Sequence, residues 1–148
     1  MGLAKTIVLN KMINLKKLAV GINSIHHLKT IQNIKIKNKE EIFHITRQKP
    51  SRKNELVNGG SLYWIIKNKF SVRQLILNIE EILTKEGKKG CKIVLDNHLI
   101  DVQRIPHRAF QGWRYMEFKE APLDISKNKI SDLPEELNNH LFEFGFKL

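Results

Sequence analysis

The chain has 148 residues, a formal charge of +11 and a single cysteine, Cys91. One cysteine excludes an internal disulfide and a cysteine-built zinc site, and fits a reducing compartment. No stretch approaches the roughly 20 apolar residues of a membrane span, and the length fits one domain that buries about 68–70% of its unfolded surface.

The charge favours an anionic partner. Lysine carries little of that signal, because Lys, Asn and Ile are abundant together, as AT-rich coding produces. Arginine carries more. Arg47, Arg52, Arg73, Arg104, Arg108 and Arg114 all lie in the middle of the chain, and both ends use Lys only. A planar, permanently charged fork is placed there, and plain solubility does not require one.

Residues 1–11 hold no apolar run long enough for a signal peptide. Met1-Gly-Leu-Ala-Lys-Thr6 matches the loose myristoylation pattern. The simpler expectation is a flexible extension ahead of a start at Met12. Ile13 to Val20 reads as a strand, with Ile13, Leu15 and, after Lys17, Ala19 alternating with polar neighbours. Gly21 ends it. Asn23 or Ser24 caps a helix running to about Lys37, on which Ile25, Leu28, Ile31 and Gln32 recur at helical spacing. Phe43 to Arg47 is a short strand stopped before Pro50. Ser51 to Val57 is a helical turn or two, ended by Asn58-Gly59-Gly60 as a left-handed cap.

Ser61 to Lys67 is apolar on both faces, which predicts a central strand covered on both sides, with Tyr63 and Trp64 in the core. Phe70 to Leu83 fits a helix face or a strand face. The turn at Glu86-Gly-Lys-Lys-Gly90 and the plain strand from Cys91 to Leu95 favour a strand and a hairpin. Leu99 to Arg104 predicts one more short strand, and Trp113 to Phe118 another. Ser131 or Asp132 caps a final helix with Leu137, Leu141 and Phe144 as its apolar stripe, ended by Gly145.

Between those last two strands lies Arg104-Ile-Pro-His-Arg-Ala-Phe-Gln-Gly-Trp-Arg-Tyr115. Pro106 and Gly112 suit a loop, and a solvated loop has no packing reason to collect Phe110, Trp113 and Tyr115. Interleaved guanidinium forks and rings suit phosphates and bases. The alternative is that Phe110 and Trp113 plug the core while the arginines cap backbone or carboxylate oxygens.

Catalytic signatures are weak. There is no phosphate-loop or dinucleotide fingerprint. Ser61 after Gly59-Gly60 is a turn hydroxyl before it is a nucleophile. Glu80 and Glu81 are neighbours on a strand and point apart, as do His26 and His27. Asp96, His98 and His107 form an acid/base set only if folding gathers them.

These residues resemble a known family, the largely alphaproteobacterial domain of unknown function 1489. The resemblance rests on His44-Ile-Thr-Arg47, Pro50, Arg52, Glu55-Leu56, Gly59-Gly-Ser-Leu-Tyr-Trp64 with Ile66-Lys67, Arg73-Gln74, Leu95-Asp96, Phe110-Gln-Gly-Trp-Arg-Tyr115 and Ala121-Pro122, with a similar ending Phe144-Gly145-Phe146. It covers about Leu15 to Leu148. Ala109 stands where the family pattern has Pro, Asn58 where it has Asp, and Asn68 where it has Gly. The family implies no activity. The layout is more distantly similar to the small barrels of the PUA and ASCH superfamily, many of which bind RNA or modified nucleobases. That analogy concerns fold and not function.

The resulting expectation is an α+β domain over residues 12–148 with a mixed, barrel-like sheet and flanking helices. Its function is expected to be that of a cytoplasmic RNA- or nucleotide-binding module without catalysis, metal or cofactor, and with no membrane attachment. Arg47, Arg52, Arg73, Arg108 and Arg114 would meet phosphates, Gln111 would assist, and Trp113 and Tyr115 would stack a base. Exposed bases favour RNA over duplex DNA. The alternatives are a small enzyme on a nucleoside-like substrate, using Lys67, Asp96 or His107, and a module for an acidic protein partner.

Overall fold

The computed structural model describes residues 12–125. The expected extension at 1–11 and the expected final helix lie outside the described residues.

Order along the chain is β1 (Ile13–Leu18), α1 (Ile25–Lys37), β2 (Phe43–Thr46), α2 (Lys53–Leu56), β3 (Ser61–Ile66), β4 (Lys69–Leu83), β5 (Lys89–Leu95), β6 (Ile100–Asp101), β7 (Trp113–Glu117) and a 3-10 turn at Phe118–Glu120. The fold is α+β with one mixed seven-stranded sheet, ordered β2-β5-β4-β3-β1-β7, with β6 on β4. β1 and β3 are parallel, with Leu15 opposite Leu62. The other pairings are antiparallel.

Two stretches resolve as the residue pattern predicts. Lys69–Leu83 is one 15-residue strand, so the hairpin argument wins over the helical one. Its first half pairs β3 on one edge and β6 on the other, and its second half pairs β5. All six residues of β3 are buried. Leu62, Trp64 and Ile66 enter the main core with Leu28 of α1 and Leu56 of α2, while Tyr63 and Ile65 enter a second core with Phe70, Val102 and Met116. A strand covered on both faces is apolar on both, because side chains alternate across it.

Local chemistry sets the connections. Ser24 Oγ accepts the His27 N–H at 3.0 Å and starts α1. Gly59 has φ +98° just past α2. Gly60 leaves no room for a side chain, since a Cβ would stand 2.4 Å from the Ile13 carbonyl oxygen. Lys67 and Asn68 both adopt left-handed backbone, φ 49° and 63°, in the two-residue turn between β3 and β4. Where the resembling family has Gly, Asn is the next residue to tolerate that conformation.

A buried amide network joins α1 to the sheet. Gln74 is fully buried. Its Oε1 accepts from Trp64 Nε1 at 2.8 Å and Gln32 Nε2 at 3.1 Å, and its Nε2 donates to Gln32 Oε1 and the Asp96 carbonyl, both at 2.9 Å.

The expected barrel is corrected. The sheet does not close: among the described residues β2 pairs only with β5 and β7 only with β1. Side chains bridge the gap where ladder bonds would have run. Trp113 Nε1 donates to the Gln48 carbonyl at 2.9 Å, and Tyr115 Oη accepts the Arg52 N–H at 3.1 Å. Pro50 lies in this stretch and has no N–H to offer a ladder. Val20 lies beyond the end of β1, and the expected strand at Leu99–Arg104 shrinks to two residues.

Candidate functional site

The two unjoined edges face one groove. A cavity of about 590 Å³ is lined by Lys17 of β1, Ile45 and Thr46 of β2, Arg47 and Gln48 just after it, and Gln111, Gly112 and Trp113 at the start of β7. Chain folding therefore brings together three of the expected site residues, Arg47, Gln111 and Trp113. Arg47 and Gln111 are exposed. Trp113 is half-buried, packs on the main core and meets Tyr115 edge-to-face at 4.9 Å. It is at once core and groove wall.

The other expected residues are not gathered there. Arg73 is spent inside the fold: its Nε and Nη2 donate to Asp124 at 2.8 Å each, and its Nη1 donates to Ser61 Oγ at 2.8 Å. The Asp124 hydrogen bonds push its pKa further up. Arg52 pairs with Glu55, three residues on, and its guanidinium lies 5.5 Å from the Tyr115 ring. The Tyr115 hydroxyl is held by the Arg52 backbone and lies near Ser51 Oγ. Arg114 points to the opposite side of β7 from Trp113, because neighbours on a strand alternate, and lies over Phe110 at 4.6 Å. Phe110 packs on the second core. Arg108 is exposed, and its carbonyl accepts from His107.

The residues weighed for proton transfer are separated as well. Asp96 and His98 meet each other at 3.2 Å in a turn. His107 Nδ1 lies 2.7 Å from the Arg108 carbonyl, which only accepts, so the ring proton is on Nδ1 and Nε2 takes the Lys16 ammonium bond at 2.9 Å. Lys67 sits exposed in the β3–β4 turn. Cys91 is buried, and burial pushes its thiol pKa up, away from nucleophilic character. Among the described residues there is no group of three or more His, Cys, Asp or Glu able to hold a metal, and no helix is long and apolar enough to cross a membrane.

Lys17 of the groove and His44 beside it are not marked as site residues by the sequence. Lys17 continues the inward alternation of Ile13 and Leu15, and a lysine at an inward strand position was the available signal. Its side chain has no hydrogen bond or ion pair among the described residues, and burial lowers its pKa. His44, on β2, meets Trp64 edge-to-face at 5.2 Å, and its Nε2 is sealed from solvent with no hydrogen-bond partner among the described residues. Burial, then the nearby Lys17 charge, pulls its pKa from 6.5 down to about 4.

That depression has a measurable consequence. Below about 6.5 the unfolded chain takes up a proton that the folded ring refuses, so His44 costs stability as pH falls from about 6.5 to about 4. Relative to His44→Phe, the wild type is expected to lose roughly 2–3 kcal/mol across that window, at about 1.4 kcal/mol per pH unit. Urea unfolding of both proteins at pH 7 and pH 4.5 measures it. A pH-independent difference contradicts the neutral, buried ring.

A family model described as "Protein of unknown function (DUF1489)" matches residues 15–147. Neither curated proteins nor solved structures give a match.

Proposed function

The chain belongs to the DUF1489 family of proteins of unknown function, and we propose that it is a non-catalytic binding module for RNA or a nucleotide, with the groove between β2 and β7 as its site. The observation that carries this reading is the convergence on one open groove of Arg47 with Gln111 and Trp113, which lie more than 60 positions further along the chain. Arg47 supplies a guanidinium with no carboxylate partner among the described residues, Lys17 a second cation, Gln111 an amide and Trp113 an aromatic wall. That set suits a phosphate joined to a planar ring. The volume falls within the roughly 300–1,000 Å³ of small-ligand sites, so one or two nucleotides fit better than a long track.

The test is fluorescence anisotropy of a mixed-sequence single-stranded RNA at several salt concentrations. One guanidinium at a phosphate predicts a log–log salt slope of about −0.7, at roughly 0.7 per phosphate. Arg47→Ala is expected to reduce its magnitude by about 0.7. Arg73→Met is expected to lower the melting temperature and leave the slope unchanged, because Asp124 already occupies that guanidinium. Absence of binding at low salt, or a slope indifferent to Arg47, refutes the reading and favours an acidic protein partner.

A further inference from the structure

The groove has an inner end. Beside the outer cavity lies a smaller one of about 190 Å³, where α1 covers the gap between the end of β1 and β2. Lys17 lines both. Its deeper walls are apolar, formed by Leu28, Ile42, Leu95 and the ring of Trp64, with His44 among them, and Gln32 and Lys35 of α1 complete the lining.

Resting on the nucleotide reading above, we infer that this inner end takes the uncharged ring of the ligand, base first, with Lys17 hydrogen-bonding the ring edge and His44 joining it as the side chains over its Nε2 move aside, while Arg47 holds the phosphate outside. Three features argue for that orientation. A phosphate would have to shed its water among Leu28, Ile42 and Leu95, whereas a neutral ring loses little there. His44 Nε2 is withdrawn from water and has no hydrogen-bond partner among the described residues, and the half-buried Lys17 ammonium has none either; a ligand edge bearing a carbonyl and ring nitrogens satisfies both. His44 is neutral at ordinary pH, so it presents both a donor and an acceptor and offers nothing specific to a second negative charge. The cation at the boundary and the guanidinium further out then match an amphiphilic ligand with a ring at one end and a phosphate at the other.

The ring could belong to a free nucleotide or to an unpaired nucleotide of an RNA chain. Trp64 and Trp113 border the two cavities, so quenching of tryptophan fluorescence reports occupancy of the full-length chain. The ligands are uridine and guanosine monophosphates, ribose 5-phosphate and a short single-stranded RNA. At least one nucleotide is expected to bind ten-fold or more tightly than ribose 5-phosphate. His44→Phe keeps the aromatic contact with Trp64 and removes the ring nitrogens. It is expected to bring nucleotide affinity down to that of ribose 5-phosphate while leaving ribose 5-phosphate binding unchanged. Lys17→Met, at the boundary, is expected to weaken the nucleotide ten-fold and serves if His44→Phe fails to melt cooperatively. RNA that binds more tightly than the mononucleotide and is displaced by it identifies an unpaired base of a chain as the occupant; RNA that binds no better identifies a free nucleotide.

A nucleotide no better bound than ribose 5-phosphate, or indifferent to both variants, overturns the inference. Should Arg47-sensitive RNA binding survive in that case, the outer-groove reading stands without it. Should no ligand register at all, both fall.

Discussion

Trp64→Ala is expected to destabilise the chain by roughly 3–5 kcal/mol, the range for truncating a large buried aromatic. Trp64 is only 6% exposed, sits on the central strand, and contributes both apolar area and a hydrogen bond donor. Truncation leaves a cavity between α1 and β3 and strands part of the Gln74 acceptor capacity. Trp64→Phe keeps most of the area and loses only the N–H, so it is expected to cost less than half as much. Equilibrium urea unfolding separates the two, and equal costs for Ala and Phe would show that the hydrogen bond, and not packing, carries the residue.

Gln74→Leu should cost roughly 3–5 kcal/mol although it replaces a fully buried amide with an apolar side chain of similar size. The leucine leaves Trp64 Nε1, the Gln32 side chain and the Asp96 carbonyl without their partner, and an orphaned buried polar group costs about 1–3 kcal/mol. The same network is the polar joint between α1 and the sheet. The double variant Gln32→Leu/Gln74→Leu removes both amides together and should recover part of the loss. A loss confined to a few tenths of a kcal/mol in the single variant would mean that water replaces the missing amide. Amide exchange along α1 checks whether the helix loosens with it.

The parts of the fold legible from sequence are those governed by nearest neighbours. β3 declares itself by six apolar residues in a row, and β4 by the turn that follows it at Glu86–Gly90. The Gly59-Gly60 pair marks the end of α2 because only backbone conformation and close approach are at stake there. The site was half legible. Arg47, Gln111 and Trp113 were each identifiable from residue type, but their meeting depends on the parallel pairing of β1 with β3, which is set across α1, β2 and α2. Arg73 misled for the opposite reason. Its partner Asp124 is 51 residues away, and nothing local distinguishes an arginine clamped by a carboxylate from one awaiting a phosphate. Trp113 was posed as core or ligand-facing, and its ring has one side in each environment. Lys17 is not legible as a site residue because a strand declares itself by its apolar members, and a cation in their row looks like an interruption.

An open sheet ordinarily invites another molecule to extend it, since each terminal strand offers a row of unused N–H and C=O groups. Here those rows belong to strands of four and five residues, and they look at each other across the groove. Leaving the sheet unclosed thus turns its two short terminal edges toward each other, so that among the described residues little ladder is offered to a passing chain.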